Sequence, residues 1–155
     1  GKNSYFGESQ LDENILTYLT AGSTFSANAT ISSSSKAEKA ITVQDALDAL
    51  RLSAGLSSSN GTNDAFEYIA ADYDKDGIVS SDDAMNILKH SIGLSETKQT
   101  DWVFVDTNGD YSNISKSDTS YDQGKIVSNL SKDSFINLTG VLIGDVNHSY
   151  GDFIA

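Results

Sequence analysis

Between Thr42 and Gly55 the apolar residues Ala46, Leu47, Leu50 and Ala54 recur at the three-and-four spacing of one helix face. Thr42-Val43-Gln44-Asp45 supplies a start, with Thr42 as N-cap and Asp45 at the third helical position, and Gly55 supplies a stop. Ser57 to Gly61 reads as a linker. A second helix is expected from about Asp64 to Ala71, with Phe66, Ile69 and Ala70 turned inward, and a third from Ser81 to Ile92, ending at Gly93. Beyond residue 100 the pattern changes. Trp102-Val103-Phe104-Val105, bounded by Asp101 and Asp106, predicts a buried strand, and Phe135 to Leu138 and Val141 to Ile143 predict two more. Near the N-terminus Leu11, Ile15, Leu16 and Leu19 have helical spacing, while Ile15 to Tyr18 equally suits a strand. Ser32 to Ser35 is a serine run expected in a loop.

The two glycine-terminated helices repeat. A shift of 38 residues lays Ile41 on Val79, Asp45-Ala46 on Asp83-Ala84, Leu50 on Leu88, Arg51 on Lys89 and Gly55-Leu56 on Gly93-Leu94. Apolar stripe, basic residue and stop signal coincide, which indicates an internal duplication.

Charge narrows the chemistry. The 155 residues carry 22 acids and 10 bases, a formal net charge of -12 that opposes binding to a phosphate backbone or an anionic membrane. The longest aliphatic or aromatic run has four residues, far short of the ~20 that a membrane span needs. Of the acids, 17 are Asp and 5 are Glu. Asp is the poorer helix former and the better turn and cation ligand, so the excess points to loops that hold hard cations. Cysteine is absent, which removes disulfides and thiolate zinc sites, and two histidines cannot make a three-histidine centre. Proline is absent too, and the Ser-, Thr-, Asn- and Gly-rich composition is common in secreted bacterial surface proteins. Residues 1–4 open no signal-type segment, which leaves secretion undecided.

Counting from Asp72, position 1 is Asp72, 3 is Asp74, 5 is Asp76, 6 is Gly77, 7 is Ile78, 9 is Ser80 and 12 is Asp83. This is the EF-hand calcium loop with Asp in place of the final Glu. Alternating aspartates aim three carboxylates at one point. Gly77 allows the sharp turn, Ile78 offers its carbonyl, Ser80 contributes directly or through water, and Asp83 closes the shell. Val79 at position 8 is apolar, as a short buried β contact requires. Residues 64–83 hold seven acids and one base, and a divalent cation relieves that crowding. Magnesium fits less well because it keeps its waters and strict octahedra.

The same shift puts Ser34, Lys36 and Glu38 at positions 1, 3 and 5 of the first repeat, a degenerate loop in which Lys36 repels the ion. Gly144-Asp145-Val146-Asn147-His148-Ser149-Tyr150 begins a loop that no helix follows. This half-loop is expected to fold back onto the orphan helix at Asp45, making a second calcium site from Asp45, Asp145, Asn147 and Ser149. Asp106 to Asp110 reads as turn chemistry rather than an ion site.

On these residues the chain resembles a dockerin domain, over roughly residues 34–94 and again at 144–150. Asp72 to Leu94 is similar to one dockerin half, Ile41 to Leu56 to the helical part of another, and Gly144 to Asn147 to the opening of a displaced loop. The resemblance implies cohesin binding or anchoring at a bacterial surface, with Ser81, Asp82 and Lys89 and their counterparts Val43, Gln44 and Arg51 meeting the partner. The arrangement also resembles dockerin-like regions of very large surface proteins, where the partner is a neighbouring domain. The expected fold is α+β: a dockerin-like pair of EF-hand-type halves, one calcium loop intact and one degenerate, packed with a β-rich C-terminal segment. The chain is expected to divide into an N-terminal segment to which the pattern assigns no structure (1–35), the dockerin-like helical calcium-binding region (36–96) and the β-rich region (97–155), packed on the helices as one unit.

The function expected is a non-enzymatic, calcium-binding interaction module of an extracellular or cell-surface bacterial protein. The alternatives are a calcium-rigidified spacer or terminal cap and a carbohydrate-binding module. Trp102 and the seven tyrosines could stack on sugars, although Trp102 inside an apolar run reads as core. No catalytic triad with a supporting motif, phosphate-cradling glycine loop or helical H-E-x-x-H is present. His90 is expected at a surface or core edge, and His148 in an unconstrained loop.

Overall fold

The computed structural model describes residues 9–10, 25–27, 29, 35–95, 100–127 and 135–153. The stretch 11–19 and most of the 1–35 segment lie outside the described residues. The elements in chain order are β1 (Ser9–Gln10), β2 (Phe25–Ala27), α1 (Ser35–Ala40), α2 (Val43–Ser53), α3 (Ala65–Ala71), α4 (Ser81–Ser91), β3 (Trp102–Asp106), β4 (Lys125–Val127), β5 (Phe135–Ile136), β6 (Leu138–Leu142) and α5 (Tyr150–Phe153). The mixture of helix and strand is the α+β class. Among the described residues no helix is long and apolar enough to cross a membrane.

Local chemistry sets the helix boundaries. α2, α3 and α4 each open with a capping box, at Thr42/Asp45, Asp64/Glu67 and Ser80/Asp83. Gly55 and Gly93 follow α2 and α4 with φ of 77° each. There the Gly55 and Gly93 amides bond Leu52 and His90 carbonyls, and Leu56 and Leu94 amides reach back to Arg51 and Lys89. The linker between α2 and α3 is held by two buried carboxylates. Asp48 accepts from the Ser59 amide and hydroxyl, and Glu67 accepts from the Ser58 hydroxyl. Burying these acids is tolerable because each is hydrogen-bonded.

Two expectations about this region are corrected. Residues 35–40 form a helix, α1, which buries Ala37 and Ala40. Lys36 and Glu38 therefore lie on a helical turn rather than in the degenerate calcium loop expected there, while Ser34 lies outside the described residues. In α2 the inward residues are Ala46, Ala49 and Leu52, whereas Leu47 and Leu50 are about half exposed. The small side chains of Ala46 and Ala49 let α2 pack closely on α4, and Leu47 and Leu50 face out.

β3 pairs antiparallel with β6, Trp102 opposite Leu142 and Phe104 opposite Gly140. Both strands are buried, and the pleat sorts their side chains to two sides. Trp102, Phe104, Leu138 and Leu142 join the helical core with Leu52, Val79 and Ile87. Val103 and Val141 pack with Ile69 and Ala70 of α3 and with Ile143. The 97–155 region and the helices thus share one core cluster. β1 pairs with β5 and β2 with β4, both antiparallel and only two or three residues long. Trp102 is 9% exposed and edge-on to Tyr150, a core residue as expected.

Candidate metal centre

The 72–83 loop turns tightly between α3 and α4. Lys75 and Gly77 take left-handed backbone angles, φ 60° and 93°. This brings the carboxylates of Asp72, Asp74 and Asp76 together, with one oxygen of each within 4.8 Å of the others. Asp72 is buried, while Asp74 and Asp76 are exposed. Asp83, fully buried in the first turn of α4, reaches back into the loop, where its Oδ1 accepts from the Tyr73 amide at 2.9 Å and the Asp74 amide at 3.2 Å. Its Oδ2 accepts from the Ser80 amide and hydroxyl at 2.8 and 3.0 Å. Ser80 therefore serves the helix cap as well as standing at ligand position 9. Ile78 exposes its side chain and donates its amide to Asp76 Oδ1 at 2.9 Å.

Asp72 Oδ1 accepts from the Asp76 amide and Oδ2 from the Gly77 amide. Burial raises the Asp72 carboxyl, and the neighbouring Asp83 and Asp76 carboxylates raise it further. Asp74 is raised by burial and by Asp83, Asp76 and Asp82. A hard cation relieves this electrostatic pressure.

The half-loop at the C-terminal end lies against α2. Several of its hydrogen bonds repeat those of the contiguous loop. Asp145 Oδ1 accepts from the Ser149 amide at 2.9 Å and Oδ2 from the Tyr150 amide at 2.9 Å, as Asp72 does from Asp76 and Gly77. Asn147 Oδ1 accepts from the Ser149 amide, as Asp74 Oδ1 does from Asp76. Asp45 Oδ1 accepts from the Asn147 amide at 3.1 Å, and its Oδ2 from the Thr42 amide and hydroxyl, as Asp83 does from Asp74 and Ser80. His148 has φ 58°, matching Lys75. The expected fold-back of 144–150 onto Asp45 is thus how the chain runs, across 102 residues between Asn147 and Asp45.

Asp45 and Asp145 are both fully buried. Burial, reinforced by the facing Asp145 carboxylate, pushes Asp45 up to about 6. Burial also raises Asp145. One oxygen donor escaped the sequence reading. The Ser149 hydroxyl lies 3.1 Å from the Ala40 carbonyl, which occupies the place of the Ile78 carbonyl under the 38-residue shift. The signal was available, because Ile41 had been laid on Val79. His148 is not unconstrained: it is 4% exposed, with Nε2 3.8 Å from Asp64 Oδ1. His90 sits at the core edge as expected, 9% exposed, its Nδ1 2.8 Å from the Tyr73 hydroxyl.

Asp106 to Asp110 forms a turn, closed by the Gly109 amide on the Asp106 carbonyl. Among the described residues its carboxylates do not join a converging group. The residues expected to meet a partner, Val43, Gln44, Arg51, Ser81, Asp82 and Lys89, are all exposed on α2 and α4. Between these helices lies a shallow apolar groove of about 320 Å³, lined by Leu47, Leu50, Met85 and Leu88 among others. No family model, curated protein or solved structure matches this chain.

Proposed function

We propose that this chain is a calcium-binding, non-enzymatic interaction module of a secreted or cell-surface protein. The observation that carries the reading is the convergence of the Asp72, Asp74 and Asp76 oxygens within 4.8 Å, with Asp83 closing the loop from α4. Together with the Ile78 carbonyl and Ser80 or a water, these residues reach the six or more oxygens that calcium takes. Asp45, Asp145, Asn147, Ser149 and the Ala40 carbonyl form the second ligand set. Calcium supplies charge neutralisation and cross-linking here, not chemistry on a substrate. With the ions bound, α2 and α4 are held as a pair, and their outer face is the docking surface. Leu47, Leu50 and Met85 give that face an apolar centre, and Arg51 and Lys89 give it basic ends. A cohesin-like domain, or a neighbouring domain of the same protein, is the occupant that the dockerin resemblance favours.

The decisive measurement is calcium titration calorimetry on metal-free protein, with magnesium as control. Micromolar-to-millimolar calcium binding that Asp74→Ala abolishes at one equivalent supports the reading. Absence of calcium binding overturns it. A second reading, a calcium-rigidified spacer or cap, draws support from the tie between residues 40–45 and 145–150. Pull-down of surface-protein domains with calcium and with chelator separates the two. Calcium-dependent capture that Leu47→Ser plus Met85→Ser abolishes selects the docking module, and its absence selects the spacer.

A further inference from the structure

Within the β-rich third, a tight turn at 115–119 reaches the contiguous loop. Ser115 and Asp118 close the turn through two backbone hydrogen bonds, 2.9 and 3.2 Å. From this turn the Lys116 carbonyl accepts the Val79 amide at 2.7 Å, and the Thr119 amide donates to the Gly77 carbonyl at 2.9 Å. The Lys116 ammonium donates to the Ser53 carbonyl, at the end of α2, at 3.1 Å. The Thr119 hydroxyl, on a side chain 1% exposed, donates to Asp72 Oδ2. Positions 1, 6 and 8 of the loop are thus all held by residues more than 35 positions away in sequence.

We infer that Thr119 is a positioning residue of the ion site and that the 115–119 turn is its outer shell, so that calcium affinity at 72–83 depends on the β-rich third. The inference rests on the calcium reading above. A carboxylate ligand loses affinity when it is free to rotate, and hydrogen bonds from a second layer of residues fix its orientation. Among the described residues the other hydrogen bonds to the Asp72 carboxylate come from the Asp76 and Gly77 loop amides, and these move with the loop. The hydroxyl of Thr119 comes from a separately closed turn, so it fixes Asp72 relative to the core. By linkage, calcium must in turn tighten the contact between the turn and the loop.

The test uses the full chain. Calcium affinity is measured by calorimetry for the wild type, Thr119→Val, which keeps the shape and removes the donor, and Thr119→Ser, which keeps the donor. Urea unfolding in EDTA gives the metal-free stability of each. Thr119→Val is expected to weaken one calcium equivalent about 10-fold, and Thr119→Ser to retain the wild-type affinity. Equal affinity in Thr119→Val, or a loss that tracks metal-free stability in both variants, overturns the inference while the calcium reading stands. No calcium binding by the wild type removes both. Hydrogen exchange on the wild type needs no variant. The Val79 and Thr119 amides are expected to slow together on adding calcium, and unchanged exchange at both sinks the linkage.

Discussion

The two ligand loops share a hydrogen-bond scheme but differ in how the chain supplies it. The 72–83 loop is contiguous. Its position-1, -3 and -5 ligands and its closing Asp83 come from twelve successive residues, and two of its acids are open to water. The other site is split, with positions 1 to 5 from 145–149 and positions 7 to 12 from 40–45. Its two acids are fully buried. The contiguous loop concentrates negative charge, and the split loop lets tertiary packing do the assembling. An ion in the first would order a local turn. An ion in the second would join segments about 100 residues apart, where the unfolded chain has far more freedom to lose.

Removing both ions should have the largest effect. At calcium 100-fold above each dissociation constant, linkage contributes about 2.7 kcal/mol per site. EDTA is therefore expected to lower the melting temperature by roughly 10–20 °C for a domain of this size. A thermal scan unchanged by EDTA would dissolve the comparison altogether.

The pH dependence comes next, and its sign separates the two states. In the metal-free protein Asp45 titrates near 6, against an ordinary 3.8 when unfolded. The folded state therefore favours its protonated form. That stabilisation is complete below about pH 4 and is lost as pH rises through 6, a total of ~3 kcal/mol. In EDTA the protein should gain stability on going from pH 7 to 5. In calcium it should lose stability, because the ion requires ionised ligands. Urea midpoints at the two pH values, with and without calcium, give the four numbers. Asp45→Asn should flatten the metal-free dependence.

Single-site lesions are expected to be smaller. Asp145→Ala should remove one calcium equivalent and ~2–3 kcal/mol of calcium-dependent stability, leaving the Asp74-dependent equivalent intact. Calorimetry on both single variants reads this directly. If Asp145→Ala also abolished the second equivalent, the loops would have to be treated as one coupled unit. The smallest effect expected is that of Gly144→Ala, at the entrance to the split loop. Gly144 has φ 97°, and an added Cβ would lie 3.2 Å from Ile41 Cδ1 and 3.3 Å from Tyr73. Its cost should be about 1–2 kcal/mol, with the calcium stoichiometry retained.

Much of this was legible along the chain. The capping boxes at Thr42 and Ser80, the glycine stops, the convergence of Asp72, Asp74 and Asp76 and the buried Trp102 strand all rest on short-range spacing, where each residue's role depends on neighbours within a turn or two. The partnership of Asp45 with 145–149 was legible only because the duplication left one helix without a loop and one loop without a helix. Three features were not legible. Residues 35–40 chose helix over loop because Ala37 and Ala40 found a core to enter. Leu47 and Leu50 face outward because Ala46, Ala49 and Leu52 suit the close approach of α4. Thr119 carries no motif at all.

By itself the sequence determined which oxygen-bearing side chains the 72–83 loop brings together and the turns that aim them, since alternation of Asp and a glycine at the sixth position are local constraints on a dozen residues. Only the tertiary structure decided which face of α2 is buried against α4 and that Thr119 bears on Asp72. Those pairings join residues tens of positions apart. They are selected by the packing of β3 and β6 against the helices, and nothing in the spacing of either partner encodes them.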